Sequence, residues 1–407
     1  MINVKSEILP LKGIILHRPG NELLNLTKDN IKNHMFEDIP YLQTARIEHD
    51  EFARILKQNG VVVMYLEDLM TDVLNENPYL REKFIKQYVY EAGIKTPKYK
   101  DVVIKYLNEF TNNYDLVLKT MEGININELS MMEKDYSHSL VDMVNDESMF
   151  VAEPMPNLMY MGGLMTSIGN GISMNKMFYD SRCRESIYLE YIFSYHNDFK
   201  DTTKFYDRYE NQPLEGGDIL VLNSHLVLIG ISERTSPEAI EKISMNMFND
   251  RDSSVDTVLA IKIPEYRSTM HLDTVINQVD YDKFIYYPGI IDKLKVYELK
   301  KDSMDELRVR ESSGNLEDIL ERHIRRDITM IPLGGGDKVI ADREQWSSGN
   351  NILCIAPGVV ISYDRNNITN AILRRYGVKV YEISSGELSR GRGGPRCLSA
   401  PIWRSEK

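Results

Sequence analysis

Apolar positions in this chain recur with two periods, and the switches between them mark out elements. From Asp218, DILVLN and HLVLIGIS are short apolar runs rich in β-branched residues, and they predict two paired strands. TSPEAIEKISMNMF follows with helical spacing; Ser236 suits the N-cap, Pro237 the first helical position and Glu238 the positive helix end. TVLAIKIP then predicts a third strand. From Asn351 the same succession returns: NILCIA, a Pro357-Gly358 turn and VVISYDR predict a hairpin, NITNAILRRYG a helix ending at Gly377, and VKVYEI a strand. A partial copy stands near the start, with KGIILHRP as a strand, RIEHDEFARILKQNG as a helix closed by Gly60, and VVVMYLED as a strand. Units of this kind cannot bury their faces alone. Their recurrence predicts an α/β repeat architecture, and a ring of modules would gather loops at one centre.

Between about Asn75 and Ser148 the texture changes. LREKFIKQYVYEAG, KYKDVVIKYLNEFT and YDLVLKTMEGI carry helical spacing and few strand signals. The expected organisation is therefore an α/β body made of residues 1–74 and 149–407, interrupted by a helical insert at 75–148.

Composition narrows the class. The chain has 407 residues, 42% of them hydrophobic and 27% charged, enough to bury a large core without disulfides or metal. A formal net charge of −12 disfavours nucleic acid as a partner, since the basic residues are dispersed apart from clusters at Arg322 to Arg326 and Arg390 to Arg396. The three cysteines, Cys183, Cys354 and Cys397, match neither a zinc pattern nor a disulfide framework. They suit a reducing cytoplasm. No apolar run reaches a membrane span and the N-terminus lacks a signal core, so no membrane partner is expected.

Three segments carry candidate chemistry. In RGRGGPRCLSAPIW, Cys397 follows three glycines, and Arg390, Arg392 and Arg396 would favour its thiolate. In MHLDTV, a strand would place His271 and Asp273 on one face, setting an imidazole beside a carboxylate. In LEGGDILVLN, Glu215 and Asp218 flank a Gly-Gly step where backbone and ligand can approach closely. Taken alone, each segment also has an ordinary structural reading: a cysteine in a basic loop, a satisfied histidine at a strand end, an acidic turn. The stretch PMPNLMYMGGLMTSIGNGISMNKM reads as a structural loop, since it lacks the Gly-Lys-Ser/Thr ending of a phosphate loop. Cys354 falls in an apolar strand pattern and reads as core.

Together the segments resemble the arginine deiminases of the guanidine-modifying enzyme superfamily. The shared motifs run in order along nearly the whole chain: LHRPGNEL, FEDIPYLQTARIEHDEFA, EPMPNL, SIGNGISMN, LEGGD, GISERTSPEAIE, MHLDTV, DYDKF, IAPGVVISYDRNNITN and RGRGGPRC. The resemblance implies a five-module α/β propeller, the pentein fold, with a helical insert. It implies hydrolysis of a linear amidine, converting L-arginine to L-citrulline and ammonia through a thiouronium on Cys397, with no metal or cofactor. His271 would be the acid/base, supported by Glu215. Asp273 would be one of two carboxylates that grip the guanidinium. Asn157, Arg182, Arg234 and Arg392 fall on substrate-contact positions. The implied setting is cytoplasmic, with a small guanidine as partner and with room for a homo-oligomer.

The sequence departs from the family shortly after Pro-Asn-Leu. There the family carries an Arg-Asp pair whose Asp is the second carboxylate, and this chain has Gly162 and Gly163. Two other expectations follow: an impaired paralogue that binds arginine or a true deiminase, and a hydrolase of a bulkier guanidine or amidine admitted by the two glycines.

Overall fold

The computed structural model describes residues 2–94, 97–130 and 149–406. Five sheets share one pairing plan. In each, two neighbouring strands run antiparallel and a third, reached through a helical crossover, joins parallel to the second. The first sheet joins Ala400–Arg404, Leu11–Leu16 and Val62–Tyr65, with the helix Leu42–Gln58 as crossover. The second joins Met165–Ile168, Gly171–Met174 and Thr203–Tyr206. Ile219–Val221, Leu226–Ile231 and Thr257–Lys262 form the third, crossed by the helix Pro237–Asn249. The fourth holds Ile276–Asp280, Lys283–Tyr286 and Thr329–Pro332, and the fifth Leu353–Ala356, Val359–Tyr363 and Lys379–Ile383. Lys295–Lys301 and Leu307–Glu311 extend the third sheet to five strands.

The elements read from pattern fall where the local chemistry puts them. Ser236 accepts a hydrogen bond from the Ala239 N–H, and Pro237 opens the helix. Gly377, at φ 82°, ends the helix Asn367–Arg375. The stretch from Pro154 to Met177, read from sequence as a loop, instead holds the hairpin of the second sheet. Its four-residue strands are too short for a period to stand out. The first sheet was legible only in part, because its outer strand lies at the other end of the chain.

Five apolar clusters bind the sheets together, and each draws on two of them. One joins Ile15 and Ile402 to Ile172 and Met174; a second joins Phe205 to Ile219 and Val227; a third joins Leu228 and Leu259 to Ile276 and Phe284. A fourth joins Ile285 and Ile331 to Val360, and the last joins Ile361 and Ile383 back to Ile14 and Leu16. The contacts thus run through the five sheets in order and return to the first. The helices Leu66–Glu76, Pro78–Glu91 and Asn113–Glu122 share the first cluster with the helix Ile187–Tyr195. The expected insert also covers residues 131–148, which lie outside the described residues. Among the described residues, no helix is long and apolar enough to cross a membrane.

Candidate active site

The chain enters the first strand of every sheet from one end, and the segments it passes on the way meet there. Gly162 and Gly163 precede Met165–Ile168, Glu215 precedes Ile219–Val221, and His271 and Asp273 precede Ile276–Asp280. Asn351 precedes Leu353–Ala356, and Cys397 precedes Ala400–Arg404. Hydrogen bonds cross between them. The Gly162 N–H donates to the Cys397 carbonyl (2.9 Å), the Cys397 N–H to Asn351 Oδ1 (3.0 Å), and Asn351 Nδ2 to Asp273 Oδ2 (2.6 Å).

A cavity opens over this junction, lined among others by Asn157, Arg182, Arg234, His271, Arg392 and Cys397. All six are residues singled out in the sequence. Glu215 and Asp273 lie fully buried beneath it.

His271 and Asp273 do not sit on a strand. His271 is extended, and Leu272–Thr274 is a single 3₁₀ turn. The backbone there is captured locally: Asp218 Oδ1 accepts from the Leu272 N–H (2.9 Å), and Thr274 Oγ1 donates to the His271 carbonyl (2.6 Å). Asp218 is itself held by Ser232 and Thr235, each donating at 2.7 Å. Its role is to fix the His271 segment, and burial pushes its carboxyl up to about 6 against those hydrogen bonds.

Glu215 Oε2 lies 2.8 Å from His271 Nε2 and 3.6 Å from Arg234 Nη1, while its Oε1 accepts from the Phe178 N–H. Burial would raise this carboxyl, but the Arg234 charge and the His271 hydrogen bond outweigh it and bring it down to about 2. An ionised carboxylate only accepts, so Nε2 carries the proton and Nδ1 is the nitrogen left for chemistry. Gly217 is required beside that ring: a Cβ there would lie 2.6 Å from His271 Nδ1.

Cys397 Sγ lies 3.8 Å from Asp273 Oδ2. Burial and the Asp273 charge push the thiol up to about 12, with Arg396 pulling the other way. The expected arginine-stabilised thiolate is therefore not the resting form. Arg390 is engaged by Asp38 and Glu387, Arg392 stacks on Trp346, and Arg396 Nη1 donates to Asp273 (2.9 Å) while its Nε and Nη2 pair bidentately with Glu7.

Of the two glycines, Gly162 is closed in by backbone, whereas Gly163 lines the cavity. A Cβ at Gly162 would lie 2.8 Å from the carbonyls of Arg396 and Ser399, and one at Gly163 would meet both terminal nitrogens of Arg182 at 3.3 Å. Backbone fills the first space and a guanidinium faces the second. Arg182 Nε donates to Glu185 (2.9 Å), and Asn157 Nδ2 to the His34 carbonyl (2.9 Å).

Sequence reasoning missed Glu7, Asn351 and Trp346. Glu7 carried no local signal, because its partner Arg396 is 389 residues away. Asn351 could have been found as a polar residue heading a repeated strand. Cys354 is buried in its strand, as its apolar pattern indicates.

Residues 32–404 match the family described as arginine deiminase. The chain is 47% identical to an arginine deiminase of Treponema denticola, over 100% of this chain and 99% of the relative. It is 46% identical to an arginine deiminase of Clostridium perfringens, over 100% and 98%. Among solved structures, an amidinotransferase of Microseira wollei superimposes with a TM-score of 0.55 at 14% identity, over 100% of this chain and 98% of that one. A dimethylarginine dimethylaminohydrolase of Pseudomonas aeruginosa complexed with citrulline does so with a TM-score of 0.52 at 12% identity, over 96% and 98%. These two likenesses show a shared fold.

Proposed function

The chain belongs to the arginine deiminase family, and from that premise we propose that it hydrolyses L-arginine to L-citrulline and ammonia in the cytoplasm, with Cys397 as nucleophile. Residues 1–74 and 149–407 would form the catalytic body and 75–148 its insert. One observation carries the assignment of ends to the ligand. Buried donors at Arg182 Nη2, Arg234 Nε, and Arg392 Nε and Nη1 have no partner among the described residues, and neither does the buried acceptor Asp273 Oδ1. The donors suit a carboxylate head and the acceptor a cationic tail.

A guanidinium received by Asp273 Oδ1 lies beside Cys397 Sγ, which is itself 3.8 Å from the other oxygen of that carboxylate. Its charge offsets the Asp273 charge that holds the thiol protonated, so the thiolate becomes accessible when substrate is bound. The thiol proton passes to His271, and sulfur bonds to the guanidinium carbon. His271 returns that proton to one nitrogen, the C–N bond breaks and ammonia leaves, giving the thiouronium. Water then loses a proton to His271 and bonds to the same carbon; the C–S bond breaks with the His271 proton returning to sulfur, and the new hydroxyl loses its proton to solvent to give citrulline. Glu215 orients the ring throughout.

Binding without turnover is favoured by one observation: at position 163 the guanidinium of Arg182 faces a glycine in place of the carboxylate the family resemblance implies. Incubation with L-arginine and measurement of citrulline separates the two outcomes. The proposal expects citrulline, a covalent adduct on the Cys397 peptide, and no turnover in Cys397→Ala. Tight arginine binding by calorimetry without citrulline would establish the binder, and turnover surviving in Cys397→Ala would overturn the nucleophile.

A further inference from the structure

Four arginines line the cavity, and three of them have a carboxylate: Arg182 has Glu185 (2.9 Å), Arg234 has Glu215 (3.6 Å) and Arg267 has Glu37 (2.9 Å). Arg392 has no carboxylate partner among the described residues. It is only 6% exposed, and its Nε and Nη1 are buried without a hydrogen-bond acceptor. What it has is an aromatic face. Its guanidinium carbon lies 3.5 Å from the centre of the Trp346 ring.

Trp346 is 47% exposed, and the backbone on both sides of the contact is anchored. Trp346 ends the helix Lys338–Trp346; the neighbouring Gln345 donates to the Ser268 carbonyl, and Asn366 Nδ2 donates to the Ser347 carbonyl (3.1 Å). Ser348 Oγ donates to the Arg392 carbonyl (3.0 Å), which ties the arginine backbone to the same helix end. Arg392 itself adopts a left-handed conformation at φ 68°.

An indole differs from a carboxylate as a support for arginine. A carboxylate would hold the guanidinium but neutralise it and occupy its donors. An indole attracts the cation through its face and leaves the N–H groups in the plane free. We propose that Trp346 is a positioning residue for substrate: it holds the Arg392 guanidinium against the cavity as a cation with no direct carboxylate partner, whose open donors take the carboxylate of an amino-acid ligand. This rests on Arg392 being a substrate contact under the function proposed above. Burial and, after it, the nearby Arg267 lower the proton affinity of this guanidinium to about 10, with the Glu37 charge opposing.

Two measurements on the full chain test it. In steady-state citrulline assays with L-arginine, Trp346→Ala should raise KM roughly 3- to 30-fold with a much smaller change in kcat. Trp346→Phe should recover most of the loss. In an Arg392→Ala background, Trp346→Ala should add nothing. An unchanged KM in Trp346→Ala, or an equal effect in both backgrounds, would overturn the proposal.

The second measurement does not need turnover. The chain has two tryptophans, so Trp403→Phe leaves Trp346 as a single reporter. Arg392→Ala should change its emission and its quenching by acrylamide, and titration with L-arginine should move the signal only while Arg392 is present. Such a titration signal without citrulline would sink the deiminase activity and leave the platform standing. Citrulline formation with identical spectra in the Arg392 variant would do the reverse.

Discussion

Glu215 is ionised in a fully buried position, and its replacement by glutamine should be visible in the acid stability of the whole protein. Its carboxyl stands at about 2 in the fold against an ordinary 4.5, because the Arg234 charge and the His271 hydrogen bond overcome burial. The folded-state value is the lower one, so between those two values the unfolded chain binds more protons. The contribution is therefore complete above about pH 5 and lost as pH falls toward 2. A shift from 4.5 to about 2 corresponds to about 3 kcal/mol at neutral pH. Urea unfolding of the native chain and of Glu215→Gln should be followed by circular dichroism at intervals from pH 3 to 7. The stability difference between the two should be of order 3 kcal/mol at pH 7 and shrink steadily below pH 5. Subtracting the variant removes other acids from the comparison, including Asp218, whose raised carboxyl acts with the opposite sign. A difference that stays constant down to pH 3 would refute the ionised state of Glu215. The same variant should lose at least roughly 100-fold in kcat, since the ring loses its orienting anion.

Three further outcomes follow from the same geometry. Alkylation of ligand-free Cys397 by iodoacetamide, read by peptide mapping, should rise about tenfold per pH unit from about pH 7 to 10 without a plateau, because the thiol stands near 12; a plateau by pH 8 would contradict the buried, Asp273-facing thiol. Gly217→Ala should lower kcat by roughly 100-fold or more, since its Cβ would displace the His271 ring, and a loss under tenfold would show that the ring can give way freely. Gly163→Asp should raise kcat/KM for arginine about tenfold or more, with Gly163→Asn as the uncharged control; equal rates in both would show that a second carboxylate adds nothing at this position.

Much of the molecule was legible in its residues. Apolar period, the Ser236 cap and the Gly377 stop placed the repeated strand–strand–helix–strand units, because those signals act within a few residues. The pairing of Cys397, His271, Glu215 and Asp273 as one site was legible only through the family resemblance, since they are far apart in the chain. The strand geometry expected for MHLDTV failed because Asp218, more than fifty residues earlier, captures the Leu272 N–H and turns the backbone.

What residues decide locally is which segments turn, extend or coil, because hydrogen bonds of helices and hairpins close over short stretches. What the tertiary structure alone decided is the electrostatic state of the site. Burial, with Asp273 beside the sulfur, keeps a cysteine flanked by arginines protonated, whereas Arg234 and His271 hold an equally buried glutamate ionised. A pKa depends on charges within a few ångströms and on the exclusion of water. Neither exists until separate sheets bring their entry loops to one end.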